Sequence, residues 1–107
     1  MAKALRIIFN VTTPLGYKVV LTRNRWREIT RYKHPALSAH LNKIRGCLSA
    51  PDLVRQSAKD ADVHLYYLGT GGAYVCVVVG CTDTEERFVI TAYFSENIKG
   101  GNQLWTK

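Results

Sequence analysis

The sequence predicts an α+β fold, with two helices in the N-terminal half packed on an antiparallel β-sheet. Three observations point to it. Runs rich in Val, Ile, Tyr and Phe occupy both ends of the chain, as in VHLYYLG (63–69), AYVCVVVGC (73–81) and RFVITAYF (87–94). Between them Leu37, Leu41, Ile44 and Leu48 recur at helical spacing. The order strand–strand, helix–helix, then three strands belongs to a layer of helices on a sheet.

The elements follow in order. ALRIIFNV (4–11) and YKVVLT (17–22) are β-rich and are separated by TTPLG, whose Pro14 and Gly16 are turn residues, so they predict a hairpin. Thr22 can cap a helix by accepting from its free first-turn amides. That helix turns Trp26 and Ile29 inward and its arginines outward. Pro35 ends it, because the residue before a proline is pushed out of the α region, and Pro35 can itself begin the next helix. Gly46 and SAPD (49–52) close the second helix, and a short strand is expected near LVRQS. TGG and TDTEE then join the last three strands as hairpins. The middle strand, apolar almost throughout, is expected at the centre of the sheet.

The chain of 107 residues, 47% hydrophobic and 21% charged, predicts one globular domain over residues 1–107. It has no apolar run of membrane-spanning length, and MAKALRIIFN is too short in apolar residues for a secretory signal, so a cytoplasmic protein is expected. Cys47, Cys76 and Cys81 are odd in number and form no CxxC pair, so neither a disulfide nor a zinc site is expected, and Cys76 and Cys81, which flank VVVG in an apolar run, are expected to be buried thiols.

The charge is unevenly placed. Residues 18 to 45 hold Lys18, Arg23, Arg25, Arg27, Arg31, Lys33, Lys43 and Arg45 against Glu28 alone. The remainder of the chain carries seven bases and seven acids, so the whole excess of +7 lies in this block. One-sided charge of this kind points to an anionic partner, most often nucleic acid. A basic face that only aids solubility is the plainer alternative.

Little else in the sequence suggests chemistry other than that of RNA. The acids fall in polar connections, with no two-metal cluster and no HExxH helix, so no metal and no cofactor are expected. GTGG (69–72) is followed by a strand and not a helix, which makes it a hairpin turn rather than a phosphate loop. His40 and His64 suggest no role. His34 stands at a helix end amid the cations, where an imidazole suits cleavage of RNA by its own 2′-hydroxyl. That reaction needs a proton taken, a proton given and positive charge on the phosphorane. Thr91, Tyr93 and Ser95 alternate along the last strand and share a face, with Lys99 following, so they form a candidate polar floor opposite His34. Tyr32 and Trp105 are candidates for stacking on a base, or for the core.

VVLTRNRWREITRYKHPAL, CLSAPDLV, YVCVVV and FVITAYFSENIKGGNQLW, in that order, resemble the phage-associated nuclease-like domains of the barnase–EndoU–colicin–RelE superfamily. The shared features are a strand ending in Leu-Thr, a Trp on the first helix, a His-Pro junction and a Pro-Asp after the second helix. A strand ending in Thr-Ala-Tyr and an Ile-Lys before a closing Trp complete the set. The resemblance runs from about Val19 to Trp105. It implies that the helices precede a curved antiparallel sheet, and a metal-independent endoribonuclease, often a toxin held by a protein antitoxin. By position it implies His34 in the active site with Thr91 and Tyr93 facing it, and Arg27, Arg31, Lys33 and Lys99 holding phosphates; Arg23 and Ser95 are further expected substrate-binding residues. The competing expectation is a non-catalytic nucleic-acid-binding or protein-interaction domain of the same fold.

Overall fold

The computed structural model describes residues 6–107, so residues 4 and 5 of the first expected strand lie outside it. The chain forms β1 (Ile7–Thr12), β2 (Lys18–Thr22), α1 (Arg23–Glu28), a π-helical turn (Ile29–Lys33), a 3-10 turn (Pro35–Ala39) and α2 (Leu41–Ser49). Then come β3 (Leu53–Gln56), β4 (His64–Gly69), β5 (Tyr74–Cys81), β6 (Arg87–Ser95) and β7 (Gln103–Thr106). The seven strands make one open sheet in the order β1-β2-β6-β5-β4-β3-β7, which puts the apolar β5 near its middle, as its composition predicts.

The sheet is mixed, not antiparallel throughout. β2 runs parallel to β6, with Val19 beside Arg87 and Val20 beside Phe88, while every other neighbouring pair is antiparallel. The reason is the helical crossover. A connection that long can return the chain in either direction, and side-chain periodicity does not record direction. β7 pairs with β3 through Leu53–Thr106 and Val54–Trp105, and was not foreseen as a strand.

One face of the sheet carries the main core. Val54, Tyr66, Val77 and Ala92 lie in one cross-strand row and are fully buried. Leu37, Ile44, Cys47 and Leu48 from the helical layer belong to the same core. The expected second helix is broken at His40 (φ −121°, ψ 28°) into the 3-10 turn and α2. Ser38 and His40 are weak helix formers, and the tighter first piece still delivers Leu37 to the core.

The opposite face is partly covered by the connection from β6 to β7. There the Tyr67 hydroxyl accepts from the Lys99 amide at 3.0 Å and lies 3.4 Å from the Lys99 carbonyl. Gly100 (φ +107°) lets this crossing lie flat, since a Cβ there would meet the Gln56 carbonyl at 3.0 Å and Leu65 at 3.1 Å. Tyr67 and Cys76 are thereby buried on the face away from the helices.

Candidate functional site

The basic segment is built outward from two anchors. Thr22 accepts from the Arg25 amide at 3.2 Å and so caps α1, as its position predicts. Ile29 is fully buried and Trp26 half-buried, which turns Arg23, Arg27 and Arg31 to the surface. Glu28 holds Arg25 at 3.3 Å and Lys33 at 3.6 Å. Among the described residues no acid pairs with Arg23, Arg27 or Arg31, and Lys33 alone of the expected phosphate binders on this segment is partly neutralised.

The segment ends in a wide turn. The His34 amide donates to the Ile29 carbonyl at 2.6 Å, and His34 itself has left the helical region (φ −141°, ψ 73°), which the following proline disfavours. This brings its ring to the sheet, with a centroid distance of 5.7 Å to Tyr93. His40 meets Phe94 edge-on at 5.3 Å. Adjacent strand residues point to opposite faces, so the two histidines reach β6 on either side of it. They can do so because β2 pairs with β6 only as far as Phe88 and leaves the second half of that edge to the helical segment.

Thr91, Tyr93 and Ser95 do share a face, opposite Val78, Cys76 and Tyr74 respectively. They differ in what is left for a ligand. Burial, with the neighbouring Cys76 thiol adding to it, pushes the Tyr93 hydroxyl well above the usual tyrosine range, so it acts as a neutral hydrogen-bonding group. The Thr91 hydroxyl is buried and has no hydrogen-bond partner among the described residues. Ser95 is occupied: its hydroxyl donates to the Asn97 carbonyl at 2.6 Å and accepts from the Asn97 amide at 3.3 Å, making a local turn. Lys99 is fixed by its backbone on Tyr67, and its side chain is exposed. His34 and Tyr93 are therefore brought together, whereas Ser95 serves the loop.

A second polar cluster closes the core at the other end of the sheet. Tyr17 Oη lies 2.7 Å from His64 Nδ1 and 2.7 Å from Tyr66 Oη, which is 2.9 Å from Thr13 Oγ1. The Arg87 guanidinium covers the Tyr17 ring at 4.7 Å and donates to the Asp62 carbonyl at 2.7 Å. Each hydroxyl has one proton, so Tyr66 can donate to Thr13 or to Tyr17 but not to both; donation to Tyr17 leaves the Tyr17 proton for His64 Nδ1. The His64 ring is then neutral. Burial and the nearby Arg87 charge push its pKa down, in the same sense. No role for His64 follows from the sequence; its alternation with Tyr66 on one strand face is the available signal.

An open cavity of about 390 Å³ lies over Ile7, Val20 and Phe88, with Arg25, Glu86 and Arg87 among its lining. None of His34, Thr91 or Tyr93 lines it, so it is separate from the His34 edge. Among the described residues no group of three His, Cys, Asp or Glu is placed to hold a metal ion, and no helix is long and apolar enough to cross a membrane. Cys47, Cys76 and Cys81 are free thiols. No protein-family model, no curated protein and no solved structure matches the chain.

Proposed function

We propose that this chain binds RNA through the face formed by α1, the π-helical turn and the start of the 3-10 turn. The observation that carries the reading is the set of exposed arginines, Arg23, Arg27 and Arg31, which have no acidic partner among the described residues. Arginine forks match phosphate oxygens, and their contacts release condensed counterions. Affinity for RNA should therefore fall steeply with salt. An acidic protein, such as an antitoxin, would be drawn to the same face and would compete with RNA.

The contact of His34 with Tyr93 favours a second reading, metal-independent endoribonucleolytic cleavage. In it His34 takes the proton of a ribose 2′-hydroxyl, the oxygen attacks the adjacent phosphorus, and the bond to the 5′-oxygen breaks. A 2′,3′-cyclic phosphate and a 5′-hydroxyl result. Tyr93 and Thr91 would orient the reacting groups, and Arg27, Arg31 and Lys33 would oppose the charge of the phosphorane. The leaving oxygen takes its proton from the protonated His34 or from water.

The test is incubation of the purified protein with mixed RNA in EDTA, beside His34→Ala. Cyclic-phosphate ends that vanish in the variant support cleavage. Salt-sensitive binding without cutting by either protein leaves binding alone. An absence of RNA binding at low salt would sink both readings.

A further inference from the structure

We infer that the RNA held on this face is single-stranded and that Tyr32 is the platform on which one of its bases stacks. The inference rests on the RNA-binding reading above and narrows its ligand. Tyr32 is 75% exposed, the most exposed of the large hydrophobic side chains among the described residues. A lone exposed aromatic is ordinary on a protein surface. What distinguishes Tyr32 is its setting.

It lies in the π-helical turn between Arg31 and Lys33, one turn beyond Arg27. The turn is anchored from below by fully buried Ile29 and closed by the His34 amide on the Ile29 carbonyl. Thr30 ties its first half down by donating to the Trp26 carbonyl at 2.9 Å. Tyr32 thus stands on a fixed piece of backbone, and its side chain makes no hydrogen bond or ring stacking contact with any described residue. The other stacking candidate, Trp105, is half-buried, packs against the core and sits on β7, away from the basic segment.

An aromatic face among cationic side chains is the combination that single strands require. Phosphates meet the guanidinium groups while an unpaired base covers the ring. A duplex has its bases stacked inside, and A-form RNA offers a protein mainly phosphates and 2′-hydroxyls, so a duplex would gain nothing from Tyr32.

The experiment is fluorescence anisotropy with a labelled oligouridylate of about 12 nucleotides and a duplex RNA of equal charge, at fixed low salt. Tyr32→Ala should weaken binding of the oligouridylate on the order of tenfold and leave the duplex within about twofold; Tyr32→Phe should bind as the wild type does. Equal losses for both RNAs, or no loss for either, would overturn the stacking role while leaving RNA binding intact. If the wild-type protein binds neither RNA, the underlying reading fails too.

Discussion

The ring of His34 lies 5.7 Å from that of Tyr93, tilted by 39°, where the helical segment meets the unpaired half of the β6 edge. The contact joins residues 59 positions apart through a single backbone feature, the non-helical conformation of His34 before Pro35. If the edge cleaves RNA, the two residues have separable duties. His34→Ala should remove cleavage and change RNA affinity by no more than about threefold, because the arginines supply most of the binding. Tyr93→Phe keeps the ring beside His34 and deletes only the neutral hydroxyl, so the rate should fall by about tenfold to a hundredfold with KM little changed. Single-turnover kinetics on both variants would separate the effects, and a Tyr93→Phe enzyme as fast as wild type would assign the contact to packing.

Glu28 restrains the basic face. It holds both Arg25 and Lys33, so Glu28→Gln should release two cations toward RNA and tighten binding at low salt. Arg27→Ala acts in the opposite sense. It should lower the slope of log Kd against log salt by roughly 0.7, the increment for one phosphate contact on a single strand. Titrations at several salt concentrations check both, and an unchanged slope in Arg27→Ala would place the RNA elsewhere.

The His64 cluster predicts a pH dependence of stability. Burial and Arg87 lower the pKa of His64 in the fold, while Asp62 raises it to a lesser degree, so the native state binds fewer protons than the unfolded chain near that pH. The contribution is complete above the unfolded histidine value of about 6.5 and is lost as pH falls through the lower folded value. A charged His64 carries a proton on Nδ1, so Nδ1 could no longer accept from the Tyr17 hydroxyl. The urea midpoint should therefore fall between pH 7.5 and pH 5, and His64→Gln should flatten that fall. A midpoint equally pH-sensitive in the variant would assign the effect to another group.

Much of this fold is legible in the sequence because its signals are local. Thr22 as a cap, Pro35 as a stop and the alternation of Thr91, Tyr93 and Ser95 each follow from the chemistry of a few neighbouring residues. The parallel pairing of β2 with β6 depends on where a crossover returns the chain, which no local pattern records. The same limit hid the chain of hydroxyls from Thr13 to His64, whose members are as many as 53 positions apart. The local engagement of Ser95 is hidden for a different reason. Its face was right, but Asn97, two residues on, had already taken its hydroxyl.

The crossing between β6 and β7 yields a prediction about the fold itself. Gly100 has φ +107°, a region that side chains disfavour, and an added Cβ would meet the Gln56 carbonyl at 3.0 Å, where backbone cannot swing aside. Strain and contact act together, so Gly100→Ala should cost about 1–3 kcal/mol. The loss should be local at first. Amide exchange should quicken at Lys99 and Gly101, whose amides donate to Tyr67 and Gln56, while the amides of β5 at the centre of the sheet stay protected. Because the crossing buries Tyr67, whose hydroxyl burial holds above the ordinary tyrosine range, loosening it should also let that phenol ionise at lower pH. Phenolate absorbance followed through an alkaline titration reads this directly. A Gly100→Ala protein with wild-type stability and an unchanged titration would mean that the crossing is not what covers that face.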